Sequence, residues 1–271
     1  MPRLFVLLPL LALGAALPDH PRTQGAGGVT VTLLANEGVH LSSGTQQVLI
    51  DGLFRYYGSE FALPADSTRA ALEGARAPFD SVDLVLVTHR HGDHFHPTSM
   101  VSHLAANPRA TLVTSRQVID SMRGSLATAS AVRSQLRAYT TEPGRRSRLV
   151  VGGIPLEVLG LPHGGVRHRR VEHLGFVVDI GGRRVLHVGD TDISEASFAP
   201  FRLDTARIDV ALLPSWMVTS DEGRRVIAQW IKPKHVVVFH LPDNDERQAR
   251  AAANALPGAI SMSRSLERRT F

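Results

Sequence analysis

From residue 29 onward the chain reads as short apolar runs set between polar turns. "VTVTLLA" (29–35), "GVHLSS" (38–43) and "QQVLID" (46–51) are β-branched or alternating runs bounded by Gly and Asn, a pattern that predicts a meander of strands. "VDLVLVT" (82–88) is nearly continuously apolar, as expected of a strand buried on both faces. "PTSMVSHLAAN" (97–107) has helical spacing behind a proline suited to a first turn. "ATLVT" (110–114) reads as a further strand, and 115–137 as one or two helices broken near Gly124. The strands return at "IPLEVLGL", "HLGFVVDI" and "RRVLHVGDT", the last two joined by a Gly181-Gly182 hairpin turn. "ARIDVALLP" (206–214) is a strand, "SDEGRRVIAQWI" (220–231) a helix, "PKHVVVFHL" (233–241) a strand, and a last helix covers about 245–255. No linker divides the part before about residue 140 from the part after it, so the pattern predicts one domain over 29–271 with two halves packed on each other.

The N-terminus departs from this rhythm. One Arg, an apolar run from Leu4 to Leu13 and the small residues Gly14, Ala15 and Ala16 read as a secretory signal peptide over 1–17, with 18–28 as a Gly-containing linker. The run is short of the roughly 20 residues a spanning helix needs, and Pro9 interrupts it. The expected location is therefore secreted or periplasmic, with no membrane span left after cleavage. Cysteine is absent, which removes disulfides and thiolate ligands and leaves nitrogen and oxygen to hold any metal.

The net charge is +5, with basic runs "RRSR" (145–148) and "RHRR" (167–170). The basic residues are almost all Arg and no aromatic side chains interleave with them, which argues against nucleic acid as the partner. The charge gives only a slight preference for an anionic partner.

The candidate chemistry begins where the buried strand ends. In "THRHGDH", His89, His91, Asp93 and His94 sit on one loop at a strand's C-terminal edge, a rigid platform from which side chains can converge. Imidazole nitrogens and a carboxylate oxygen are the donors that Zn²⁺ accepts. His89 and His91 alternate and can point together while Asp93 and His94 diverge, which suggests two metals. His96 reads as a structural contact, and His40, His103, His173, His187 and His235 as ordinary core or surface histidines.

The H-x-H-x-D-H run resembles the signature of the metallo-β-lactamase fold superfamily, and the order of later stations is similar too. "LEVLGLPHGG" supplies His163, "RVLHVGDT" supplies Asp190, "KHVVVFHL" supplies His240, and "QQVLIDGL" supplies Asp51. The resemblance implies an αββα sandwich (α/β, four layers) with metals at one edge. His89, His91 and His163 would hold one metal, Asp93, His94 and His240 the other, Asp190 would bridge, and Asp51 would brace the ligand loop. The missing Cys and the Asp at the bridge look unlike several true β-lactamases. The stretches around "NEGVHLSSG" and "LLPSWMVTSDEG" look more like the branch that includes ascorbate-6-phosphate lactonase-like hydrolases.

The implied cofactor is a pair of zinc ions, with iron and manganese also suited to the nitrogen and oxygen donors. A water bridging them, acidified toward a pKa of about 7, would give a hydroxide that cleaves a small-molecule ester, lactone, thioester or lactam, and Asp93 would orient it and carry its proton. Two alternatives stand beside this: a phosphodiesterase or nuclease of the same fold, and a metal-binding scaffold without turnover. Phe54, Tyr56, Tyr57, His168 and Trp216 are candidates for the walls of the substrate pocket.

Overall fold

The computed structural model describes residues 27–55, 62–241 and 246–271. The expected signal peptide, nearly all of the expected linker, and Tyr56 and Tyr57 lie outside the described residues. Strands β1 (Thr30–Ala35), β2 (Gly38–Ser43) and β3 (Gln46–Ile50) form the antiparallel meander that their alternation predicts. The chain then passes through the helix Asp66–Glu73 to lay β4 (Leu84–Leu86) parallel to β3. The helix Pro97–Ala106 leads to β5 (Thr111–Ser115) parallel to β4, and β6 (Leu136–Tyr139) follows parallel to β5.

The second half repeats the plan. Strands β7 (Arg146–Val151), β8 (Ile154–Gly160), β9 (Leu174–Ile180) and β10 (Arg183–His187) are antiparallel in turn. Strands β11 (Val210–Pro214), β12 (His235–Phe239) and β13 (Ile260–Ser261) continue the sheet in parallel. Strand β14 (Arg268–Thr270) returns to the first sheet and pairs with β1. The two sheets run β14-β1-β2-β3-β4-β5-β6 and β13-β12-β11-β10-β9-β8-β7, so the division near residue 140 is the division between sheets.

Strand periodicity sorts the apolar side chains into three layers of core. Val48 and Ile50 of β3, Phe176 and Val178 of β9, and Val237 and Phe239 of β12 lie between the sheets. Leu49 of β3 and Val85 of β4 turn the other way, onto Leu72, Met100 and Leu104 of the first half's helices. Val177 of β9 and Val236 and Val238 of β12 likewise face Phe198, Met217 and Ile227. Strands covered on both faces need apolar residues at every position, which is why their sequences read as continuous runs. The outcome is the four-layer αββα sandwich.

The structure departs from the sequence pattern mainly at edges. β4 is shorter than the run 82–88 because Thr88 leaves the ladder and gives its N–H to the Asp51 side chain. Residues 115–137 form three short helical pieces, Arg116–Ser121, Arg123–Leu126 and Ser130–Gln135. The edge strands β6 and β7 are unannounced, since the polar and arginine side chains of β7 hide its alternation. The hairpin at Gly181-Gly182 is as expected, with both residues at positive φ (59° and 71°), the backbone a two-residue turn of this hand requires.

Phe176 is fully buried between the sheets. Phe176→Ala should destabilise the protein by about 3–5 kcal/mol, read as a lower urea midpoint at unchanged slope.

Candidate metal centre

Every sequence-predicted ligand lies at the C-terminal end of a strand: His89 to His94 after β4, His163 after β8, Asp190 after β10, and His240 after β12. Because β8 and β10 both run antiparallel to β9, their ends meet where β9 begins. Parallel pairing brings the ends of β3 and β4 together in the first sheet, and those of β10, β11 and β12 in the second. One edge of the sandwich thus collects all the stations, as open sheets with parallel strands do at their carboxyl ends.

The first group is His89, His91, His163 and Asp190. His91 Nδ1 lies 2.9 Å from His89 Nε2 and 3.2 Å from His163 Nε2. Asp190 Oδ2 is 3.9 Å and 3.7 Å from the same two Nε2 atoms. Ligands at 2.0–2.1 Å around a tetrahedral cation are separated by about 3.3 Å, so the spacing fits one. The remote ring nitrogens fix the tautomers: His163 Nδ1 donates to the Gly164 carbonyl at 2.7 Å, and His89 Nδ1 meets Thr88 Oγ1 at 3.0 Å. Thr88 spends its own hydroxyl proton on Asp51 Oδ2 at 2.6 Å, so its oxygen accepts from His89. The Nε2 lone pairs are left for the cluster, the arrangement by which metal-binding imidazoles are usually oriented. Burial, and then the neighbouring His163, pushes His91 down to about 4, and burial lowers His89 and His163 as well. Neutral imidazole is the form a cation binds.

The second group is Asp93, His94, Asp190 and His240. His94 Nδ1 donates to Asp51 Oδ2 at 2.9 Å, which leaves its Nε2 as an acceptor. That Nε2 is 3.3 Å from Asp190 Oδ1 and 3.5 Å from Asp93 Oδ2, and His240 Nε2 is 3.4 Å and 3.6 Å from the same oxygens. His94 Nε2 and Asp190 Oδ1 are both buried and neither makes a hydrogen bond. On a neutral ring these are two acceptors facing each other in a buried site, which calls for a positive charge between them, supplied by a second ring proton or by a cation. The electrostatics agree. Burial opposes charge on His94, yet Asp190, Asp51 and Asp93 hold it well above the usual imidazole range. Burial likewise opposes charge on Asp93 and Asp190, yet His94 and His240 keep both carboxyls below the usual carboxylate range. Asp190 therefore presents Oδ2 to one group and Oδ1 to the other.

Asp51 touches neither group as a ligand would, because its oxygens are taken by Thr88 N at 2.8 Å, Thr88 Oγ1 and His94 Nδ1. It ties the end of β3 to the ligand loop. Asp51, Asn36 and His240 all have positive φ (46°, 48° and 54°), a conformation that costs non-glycine residues about 1 kcal/mol or more and gathers at functional sites.

Three contributors escape sequence reasoning. Asn36, in the turn between β1 and β2, places Nδ2 3.4 Å from Asp93 Oδ2, and its carbonyl accepts from His240 N at 3.4 Å. Glu37 beside it is fully buried, with Oε2 3.6 Å from His94 Nδ1. Burial, with Asp190 adding, raises the Glu37 carboxyl well above its usual range. The available signal was a polar "NE" pair inside an otherwise apolar meander. His173, an ordinary histidine by its sequence position, instead backs the first group. Its ring lies 5.3 Å from His89 and 5.5 Å from His163, and Nδ1 donates to the Leu161 carbonyl at 3.1 Å. Burial, then His163, pushes it down to about 3. Gly189 makes room for it, since a Cβ there would sit 2.8 Å from His173 Nε2.

The remaining candidates separate cleanly. His96 accepts from Ser99 N at the start of the helix Pro97–Ala106, a capping role. His40 pairs with Gln47, His103 with the Leu72 carbonyl, and His187 stacks on Phe239. Phe54, a candidate pocket wall, is 1% exposed and closed off from solvent, so it packs rather than lining an open cleft. Trp216 lies edge-on to His240 at 4.9 Å, and His168 lies 4.6 Å from His163 and 4.8 Å from His91. These two therefore flank opposite ends of the centre.

Comparison with known proteins identifies the family and the fold. The sequence pattern of the family described as "Beta-lactamase superfamily domain" matches residues 46–262. A UPF0173 metal-dependent hydrolase of Symbiobacterium thermophilum is 31% identical over 160 residues, 58% of this chain and 64% of that relative's length. Another UPF0173 metal-dependent hydrolase, from Pelotomaculum thermopropionicum, is 25% identical over 84% of this chain and 93% of its own. Among solved structures, the metallo-beta-lactamase fold protein YhfI from Bacillus subtilis superposes with a TM-score of 0.60 at 16% identity, covering 90% of this chain and all of that one.

Removing Asp51 strips three donors of their acceptor at once. Asp51→Ala should cost about 3–5 kcal/mol of stability and weaken metal binding by about 10–100-fold. Denaturant titration and zinc competition against a chromogenic chelator read the two effects separately.

Proposed function

The chain belongs to the beta-lactamase superfamily, and from that premise we propose that it is a metal-dependent hydrolase holding a dinuclear centre. The carrying observation is Asp190, whose two oxygens face two separate histidine groups at 3.3–3.9 Å. His89, His91 and His163 would hold one ion and Asp93, His94 and His240 the other, with Asp190 shared. Zinc suits this all-nitrogen-and-oxygen set, and iron or manganese would suit it too. Such a metal pair supplies Lewis acidity, polarising the oxygen of the scissile group and lowering the pKa of water toward neutrality.

The chain's own residues do the rest. Asn36 fixes Asp93 through Oδ2, which leaves Asp93 Oδ1 to accept a proton from the attacking water and pass it to the leaving group. Its carboxyl stays ionised under His240 and His94, as a proton acceptor must. Asp51 and Thr88 lock the imidazoles of His94 and His89 so that no reorganisation is needed during reaction. Trp216 closes the site on the His240 side and His168 on the His163 side.

The substrate is a small ester, lactone, thioester or lactam. Arg167, Arg169 and Arg170 are exposed on the segment that follows His163, which supports an anionic one. The same arginines are what favours the second reading, a phosphodiesterase or nuclease. The apolar Leu4–Leu13 run supports export to the periplasm or beyond, and the span of the family match supports a single catalytic domain over 29–271.

Protein purified without chelators should carry about two metal ions per chain. Chelation should abolish hydrolysis across a panel of lactones, thioesters, β-lactams and phosphodiesters, and Zn²⁺ should restore it. Asp93→Ala should lower turnover by roughly 10²–10⁴-fold at unchanged circular dichroism, and full activity in that variant would remove Asp93 from the mechanism. Nucleic-acid binding that falls steeply with salt would favour the nuclease instead.

A further inference from the structure

The segment from Gly165 to Arg170 is a short basic loop, and most of its side chains point to solvent. Val166 is 89% exposed, and Arg167, Arg169 and Arg170 are exposed as well. His168 is the exception. Its backbone N–H returns to the Gly165 carbonyl at 3.0 Å and its carbonyl accepts from Val171 N at 2.8 Å. That tight turn swings the imidazole inward, 4.6 Å from the ring of His163 and 4.8 Å from that of His91. It belongs to neither group of ligands.

The ring also has a determined orientation. Arg167 Nε lies 3.0 Å from His168 Nε2. A guanidinium N–H can only donate, so Nε2 must carry a lone pair and the ring proton must sit on Nδ1. His168 Cδ2 faces Gly165, at 3.6 Å from where a Cβ would be. The Cδ2–Nε2 edge is therefore occupied by the loop itself, and the Nδ1–Cε1 edge is the opposite one.

We propose that His168 is a substrate-contacting residue of the centre: Arg167 fixes its tautomer so that Nδ1–H donates a hydrogen bond to the substrate oxygen that gains negative charge beside the His91–His163 group. No proton is transferred. The hydrogen bond strengthens as charge builds on that oxygen, as any preorganised donor at a developing oxyanion does. The inference rests on the hydrolase reading above, and it adds a donor supplied by the chain rather than by metal. It also gives the "RHRR" run a division of labour, in which one arginine orients the histidine and the others remain at the rim.

The test uses the full-length, zinc-loaded protein with 15N-labelled histidine, p-nitrophenyl acetate as the ester, and acetate as the product carboxylate. The His168 ring, assigned by its loss in His168→Phe, should show its proton on Nδ1, and Arg167→Met should return it to a mixture of tautomers. Acetate should shift the His168 Nδ1–H signal, and His168→Phe should bind acetate about tenfold more weakly at unchanged metal content. On the ester, His168→Phe should lower kcat by roughly 10–100-fold with little change in KM, since a single oxyanion donor contributes about this much or more. His168→Asn, whose amide N–H can occupy the place of Nδ1–H, should recover most of that loss.

A ring proton on Nε2 in the unmodified protein would overturn the proposal, as would equal acetate affinity in His168→Phe, or an Asn variant no better than Phe. The tautomer and acetate readings need no turnover. Failure of the ester to react at all would therefore count against the hydrolase reading while these two still decide the role of His168.

Discussion

Two buried polar atoms, His94 Nε2 and Asp190 Oδ1, face each other across 3.3 Å and neither makes a hydrogen bond. The opposition is not accidental, because Asp51 accepts the Nδ1 proton of His94 and so turns Nε2 toward the other carboxylates. The fold thus builds a local charge deficit and holds it rigidly. A proton relieves the deficit poorly, since it serves one pair of atoms. A cation serves His94, His240, Asp93 and Asp190 together. Much of the surrounding structure can be understood as support for that arrangement: Thr88 leaves its strand ladder to bind Asp51, and Asn36 clamps Asp93.

The strained backbone points the same way. Asn36, Asp51 and His240 come from distant parts of the chain, and each adopts the left-handed conformation at the end of a strand. Asn and Asp tolerate that region better than other residues, but His240 has no such excuse. Its φ of 54° turns the chain sharply after β12, where its N–H finds the Asn36 carbonyl. The two halves of the chain are joined at the site by that bond as well as by the apolar core between the sheets.

Legibility in the sequence follows the range of each interaction. The H-x-H-x-D-H loop is local, so its four donors can be recognised from spacing alone, and the buried strand before it explains their rigidity. His163, Asp190 and His240 are legible only through a family resemblance that supplies an order of stations, and each lies at a strand end. Asn36 and Glu37 could not be found in this way. They reach the site only because β1 and β2 are antiparallel and the turn between them lies against the end of β3. His173 looks like any strand residue until antiparallel β8, β9 and β10 bring their ends together. The edge strands β6 and β7 are hidden for the opposite reason, since exposed edges carry charge instead of alternation.

The two basic runs show why composition alone misleads. "RRSR" lies at the start of β7, where Arg146 and Arg148 meet Glu157 of the adjacent β8 at 3.4 Å and 3.2 Å, and Arg184 of β10 joins the same carboxylate at 3.0 Å. These arginines hold the carboxyl of Glu157 below its usual range although burial opposes it. That charge is already spent inside the molecule, and it offers little to a partner. "RHRR" is different: His168 is turned against the metal-centre imidazoles while Arg169 and Arg170 stay in water. The chain's positive excess is therefore not a uniform coat. Part of it is carried close to the centre by the segment that directly follows His163, where one ring faces inward.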